Sequence, residues 1–203
     1  MRLENPNNDA WLWRRFKEGD SEALGQLMTD HYTALIRYGT KFNRDTDFVR
    51  DCMQDIFVEL WNRRETVSML VQAQVRPYLM TMLRRLLHQQ YLERQRYDFE
   101  PVSGQEDDLQ FDVTFSPEDI LIETEQSQHT ADRIRQLLNQ LPRRSKEAIY
   151  LRFYDNLDRA AIAQVMGISE QSVSNLFQET FRLLRRHVTS KQLWLFLLAN
   201  LMV

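Results

Sequence analysis

Cysteine occurs once in the 203 residues, at Cys52, which excludes an internal disulfide and a cysteine-rich zinc site and fits a reducing compartment. Glycine and proline are scarce too, five of each. So few turn formers argue against sandwiches, barrels and Gly-rich phosphate loops. The four histidines, His31, His88, His129 and His187, are too far apart in sequence to form a close-spaced ligand pair. The opening MRLENPNNDA has no apolar run after a basic stretch, so no signal peptide is expected and the chain reads as cytoplasmic. No nucleophile–base set or metal cluster is visible, so neither an enzyme nor a bound cofactor is expected. What remains is 43% hydrophobic residues, enough for a core, in a mostly helical chain.

The net charge of −3 conceals its distribution. Residues 97–132 hold eleven acidic side chains and no Lys or Arg. Residues 1–96 have 15 basic and 13 acidic side chains, and residues 133–203 have 11 and 5. A mixed first part, an acidic middle and a basic last part predict two domains and a linker. The middle contains Pro101, Gly104 and Pro117 and has little periodicity, so it cannot bury enough surface to fold alone. It reads either as a solvated spacer or as an acidic strand that mimics or repels nucleic acid.

The first part reads as helices. Gly19-Asp20-Ser21 stops a short aromatic helix and caps the next, in which Leu24, Leu27, Met28, His31, Tyr32, Leu35, Ile36 and Phe42 fall at helical spacing over about five turns. In TDFVRDCMQDIFVELWNRRE the pairs Phe48–Val49, Cys52–Met53, Ile56–Phe57 and Leu60–Trp61 form a broad buried stripe. Asp47, Asp51, Asp55 and Glu59 step by four along one edge of it. Like charges at this spacing repel by a few tenths of a kcal/mol per pair. A solvated face accounts for acids there but less well for one row of them. Beside Gln54 and Trp61 the row suits docking of a basic partner helix, with Asp51 and Asp55 as an acid/base pair the weaker alternative. Residues 62–76 lose the stripe and read as a loop. A helix from Pro77 then turns Leu79, Met82, Leu83, Leu86 and Leu87 inward and leaves Arg84, Arg85, Arg94 and Arg96 for its outer face or end. Such a helix suits phosphates or a membrane surface, or is merely solvated.

In the second part, Ile134, Leu137, Leu138 and Leu141 precede Pro142, and a further helix offers Ile149, Tyr150, Phe153 and Tyr154 to a core. Then comes RAAIAQVMGISEQSVSNLFQ, residues 159–178. Ala163 is small where two helices would cross, Gly167 suits the turn, Ile168 anchors it, Ser169 caps and Val173 points inward. That spacing is a helix-turn-helix; a plain helical hairpin is the bland alternative. As a DNA reader its second helix would present Gln171, Ser172, Ser174, Asn175 and Gln178, whose amides and hydroxyls can address base edges. Arg182, Arg185 and Arg186, with the Ser169 cap and the helix N-terminus, would meet phosphates. Glu170 and Glu179 oppose strong binding, so the module is expected to bind DNA weakly by itself.

The order of these features resembles the extracytoplasmic-function RNA polymerase sigma factors of bacteria. WRRFKEGDSEALGQLMTDHY resembles the family's opening and DCMQDIFVELWNRRE its core-binding helix. PYLMTMLRRLLHQQYLERQR resembles its minus-ten helix and LPRRSKEAIYLRFYDNLDRAAIAQVMGISEQSVSNLFQETFRLLRR its minus-thirty-five domain. The resemblance covers residues 11–188. It implies an all-α fold of two small helical domains joined by an acidic flexible linker, the second containing the helix-turn-helix. The expected parts are a region-two-like domain over 1–96, the linker over 97–129, a region-four-like domain over 130–188 and an apolar tail over 189–203. It further implies that Asp51, Gln54, Asp55, Glu59 and Trp61 face the clamp helices of the largest subunit of core RNA polymerase. The loop 62–76 would hold a flipped promoter base, with Arg84 and Arg85 near the strand. The second domain would grip the flap of the other large subunit, and the linker would run toward the RNA exit path. Arg85 where Asn is usual, Ala161 where Glu is common and Leu176 where a basic residue is common depart from the family pattern. A membrane-bound anti-sigma factor is the partner typical of such proteins. The tail KQLWLFLLANLMV has an apolar run of about a dozen residues, short of the roughly twenty that span a bilayer. It reads as a terminal element packed on the second domain, an anti-sigma docking site, the inner-membrane end of a relay or an oligomer contact. A free-standing helix-turn-helix regulator, binding DNA tightly without polymerase, is the alternative function.

Overall fold

The computed structural model describes residues 6–69, 74–97, 111–113 and 136–187. Every regular element among them is a helix: α1 (Pro6–Lys17), α2 (Ser21–Gly39), α3 (Thr46–Asn62), α4 (Val75–Tyr97), α5 (Arg143–Phe153), α6 (Arg159–Met166) and α7 (Glu170–His187). A further short helical stretch covers 136–139. The chain divides into two units, one of Met1–Gln110 with Gln164–Gly167, the other of Phe111–Ala163 with Ile168–Val203.

In the first unit, α2 packs against α1, α3 and α4, and α4 also packs against α3 and α1. Most of the stripe read in α3 is buried, with Phe48 and Trp61 half-buried at its ends, whereas of the face read in α2 only Leu27, His31 and Leu35 are buried and Leu24, Met28, Tyr32 and Ile36 are half-buried. Val49, Cys52, Met53, Ile56, Phe57 and Leu60 face inward from α3, and Leu27 and Leu35 from α2. Gly39 sits where three helices converge. A Cβ there would lie 2.5 Å from Val49 Cγ1 and 3.3 Å from Leu83 Cδ2, so only glycine allows this approach. α1 begins at Pro6 instead of Trp11. It is joined to α2 by His31, 1% exposed, whose Nε2 lies 3.1 Å from an Asp9 carboxylate oxygen. The α1–α2 turn is a compact double cap. Gly19 at φ +92° ends α1, with Asp20 N–H donating to the Arg15 carbonyl at 3.0 Å. The Asp20 carboxylate then accepts from the backbone N–H of Glu22 and Ala23 to start α2. Asp45 caps α3 in the same way.

The predicted loop after α3 is held on α1. Trp13 Nε1 donates to the Ser68 carbonyl at 3.1 Å, the Lys17 ammonium donates to the Val67 carbonyl, and the Val67 side chain is buried. Trp13 also meets Phe16 and Tyr78 edge-on, at 5.2 and 5.6 Å between ring centroids. α4 starts at Val75, two residues before the predicted Pro77, which still falls in the first turn where its missing N–H costs nothing.

In the second unit, α5 packs on α7. Asn156, at φ +49°, turns the chain after α5, and Asp158 caps α6 by accepting from Ala161 N–H at 2.7 Å. Within the predicted linker, residues 111–113 are described, and they are packed instead of solvated. Phe111 and Val113 are each 3% exposed, and Phe111 packs edge-on against Tyr150 at 5.7 Å. Tyr150 in turn stacks on Tyr154 at 4.9 Å. Burial of these two apolar side chains favours packing of residues 111–113 within the second unit.

Candidate functional site

Two surfaces carry the chemistry read from the sequence. The first is the outer edge of α3. Asp47 is paired with Arg50 at 2.6 Å and Glu59 with Arg63 at 2.7 Å, so both ends of the acidic row are neutralised along the helix. Arg50 is further held by the Tyr32 hydroxyl, which with Asp47 raises its already high pKa. Asp51 and Asp55 are exposed and, among the described residues, have no ion-pair partner. Gln54 is exposed beside them, and Trp61 is half-buried with the Arg64 guanidinium 4.9 Å over its ring. Val58, 59% exposed, lies one turn beyond Gln54 and Asp55 and was missed in the sequence. The available signal was an apolar residue standing outside the paired stripe. Asp51, Gln54, Asp55 and Val58 thus form one exposed edge of α3, acidic with an apolar residue at its far end.

The second surface is the helix-turn-helix. The turn closes as a Schellman motif. Gly167 takes φ +66°, Ile168 N–H donates to the Ala163 carbonyl at 3.1 Å, and Gly167 N–H donates to the Gln164 carbonyl at 3.3 Å. Ala163 and Val173 are buried as their spacing predicted. Ser169 caps α7, its Oγ accepting from Ser172 N–H at 3.1 Å and lying 2.8 Å from Ser172 Oγ. Gln171, Asn175, Gln178 and Arg182 are exposed, and Ser172 and Ser174 are half-buried. Gln171 Nε2 donates to Asn175 Oδ1 at 3.1 Å, which fixes two amides side by side on the outer face. Ser174 instead donates back to the Glu170 carbonyl at 3.0 Å. Leu176 is half-buried on the same helix.

α4 separates its two arginines. Arg84 is 5% exposed and engaged by neighbours, which corrects its predicted place on the outer face. The reason is a wider buried arc than a single stripe: Pro77, Met80, Thr81 and Arg84 are buried alongside Leu79, Leu83 and Leu87. Met82 and Leu86, predicted inward, are only half-buried. Arg85 is exposed and borders a groove of about 430 Å³ lined also by His88, Gln89, Leu92 and Glu93. The Tyr78 phenol at the start of α4 has its pKa raised by burial. The side chains of Arg94 and Arg185, part of the loop over 70–73, most of the linker and the tail over 189–203 lie outside the described residues. Among the described residues no group of three His, Cys, Asp or Glu side chains is placed to hold a metal ion. None of the described helices is long and apolar enough to cross a membrane.

A helical unit followed by a helix-turn-helix unit is an arrangement that occurs among DNA-binding proteins. Comparison with known proteins makes this specific. Residues 27–97 match the model for sigma-70 region 2, and residues 131–184 match that for sigma-70 region 4. Together the two matches span more than half of the 203 residues. The RNA polymerase sigma factor NccH of Alcaligenes xylosoxydans xylosoxydans is 26% identical over 175 residues, 85% of this chain and 90% of that protein. The RNA polymerase sigma-F factor of Kitasatospora aureofaciens is 41% identical over 54 residues, 27% of this chain and 18% of that one. Two solved structures share the fold. CnrH, in complex with the cytosolic domain of CnrY, has a TM-score of 0.53 at 20% identity, covering 88% of this chain and 96% of CnrH. The sigma factor RpoE of Bartonella quintana, in complex with the anti-sigma factor NepR, has a TM-score of 0.51 at 18% identity, covering 80% of this chain and 94% of RpoE. The chain belongs to the sigma-70 family, as an RNA polymerase sigma factor of the extracytoplasmic-function type.

Proposed function

We propose that this sigma factor docks on core RNA polymerase through the α3 edge and addresses the minus-thirty-five element through α7, so directing polymerase to a small promoter set and helping to open the duplex. The observation that carries the reading is the pair Asp51 and Asp55, left open while Arg50 and Arg63 neutralise the rest of the row. Solvation alone does not call for that selective exposure; a basic helix of the polymerase clamp does. Gln54, Glu59, Trp61 and the newly seen Val58 complete the docking edge, with Val58 as its apolar centre.

At the other end Gln171 and Asn175 address base edges, supported by Ser172, Ser174 and Gln178. Ser169 and Arg182, with Arg185, take phosphates. Arg85 serves the minus-ten side with Arg94, and Arg84 supports α4 from within. In this reading the chain comprises a region-two-like domain over 1–96, a linker over 97–129, a region-four-like domain over 130–188 and a tail over 189–203, with Phe111 and Val113 packed in the second unit. The protein works in the cytoplasm, without catalytic chemistry or a cofactor. The complex of RpoE with the anti-sigma factor NepR supports a similar regulatory partner here, one that is membrane-bound.

Run-off transcription with purified bacterial core polymerase on pooled promoter fragments tests the proposal. Wild-type protein is expected to yield discrete transcripts that Asp51→Ala with Asp55→Ala abolishes. Undiminished transcription by the double variant would overturn the assignment of the docking edge, and tight DNA binding by the free protein with no polymerase-dependent transcript would overturn the proposal as a whole.

A further inference from the structure

The recognition helix opens with an acid, and the structure shows what answers it. Glu170 is the first residue of α7 and its side chain is 56% exposed. A carboxylate suits the positive end of a helix dipole, but it stands where phosphate oxygens must come to meet the helix N-terminus. The first three turns of α7 supply no cation of their own. Gln171, Ser172, Ser174, Asn175 and Gln178 are neutral, and Arg182 lies twelve residues on, about 18 Å along the axis.

The missing charge comes from the preceding helix. Arg159, the first residue of α6, places Nε 3.4 Å from Glu170 Oε2 and Nη1 3.4 Å from Ser174 Oγ. One planar guanidinium thus spans two residues on one edge of α7. With side chains 60% and 56% exposed the pair does little for stability, since surface pairs of this kind contribute weakly. Its effect lies in the field at the N-terminal end of α7, where it offsets the Glu170 charge and leaves only the more distant Glu179 acidic over the first three turns.

We propose that Arg159 is a positioning residue for promoter reading: by pairing with Glu170 and Ser174 it cancels a carboxylate that would repel the phosphates and lets the Gln171–Asn175 amide pair approach the bases. This rests on the reading of α7 as the DNA-contacting helix. A double-mutant cycle on the holoenzyme tests it. Wild type, Arg159→Ala, Glu170→Gln and the double variant are each assembled with core polymerase and titrated onto a promoter fragment that wild type transcribes. Arg159→Ala is expected to weaken binding by about tenfold, as an uncompensated like charge at an interface does. Glu170→Gln should bind at least as well as wild type, and the double variant within about twofold of Glu170→Gln, because coupled residues are non-additive. The slope of log affinity against log salt should be shallower for Arg159→Ala, because salt screens the uncompensated Glu170 carboxylate, and should return to the wild-type value in the double variant, where both charges are gone.

Were Arg159 itself a phosphate ligand, the double variant would keep the full loss and its salt slope would fall by about one, which overturns the proposal. Asn175→Ala separates the two layers of the argument. If it leaves affinity unchanged, α7 does not read DNA and the role of Arg159 falls with it. If it weakens binding while the cycle is additive, only the role of Arg159 is overturned.

Discussion

At the scale of single residues, position and neighbours decide what a side chain does. Gly39 permits the close approach of α2, α3 and α4, and a methyl there would meet the branched Val49 side chain at 2.5 Å. Gly39→Ala is therefore expected to destabilise the first unit by about 1–3 kcal/mol, the usual cost of overpacking, despite the better helix propensity of alanine. A lower urea midpoint for unfolding would register it. The sequence made the cores of α2 and α3 legible because paired apolar residues recur every turn. It did not make Arg84 legible, because a charged residue reads as outward until the helix is seen to be buried on more than one side. Arg159 was invisible for a related reason: its partner Glu170 is eleven residues away, beyond any local periodicity.

At the scale of elements, capping fixes where the helices begin. Asp20 accepts from Ala23 and Glu22 N–H and pairs with Arg15, and these contacts, with the Ala23 bond foremost, hold its carboxyl below its ordinary pKa of 3.8. A carboxyl whose folded pKa is depressed contributes stability above its unfolded pKa and loses it as pH falls through the folded value. Asp20→Ala is thus expected to lower the melting temperature at neutral pH, with the gap to wild type closing as pH falls below about 3.8. Circular dichroism melts across that range would measure it. The helix-turn-helix was the most legible element, since small, left-handed, capping and inward positions must all fall in order. Its boundaries were less so, because α7 continues to His187, past the motif that announced it.

At the scale of the whole molecule, two units and an acidic connection were readable from charge alone, but the docking of Phe111 and Val113 was not. Two apolar residues without periodicity carry no signal for what they will cover. Phe111→Ala is expected to cost the second unit about 3 kcal/mol, by analogy with other buried phenylalanines. Faster amide hydrogen exchange in α5, with exchange in α2 and α3 unchanged, would show that the segment belongs to the second unit.

The open carboxylates of α3 have one more consequence. Counterions that screen Asp51 from Asp55 ease the repulsion within an unbound helix, while in the proposed docking the same counterions would compete with the polymerase's basic helix for the same oxygens. Rising ionic strength therefore makes the solitary protein more comfortable and the assembled one less so. A change in cellular salt would shift this factor between its free and its engaged populations without altering a single contact inside either unit.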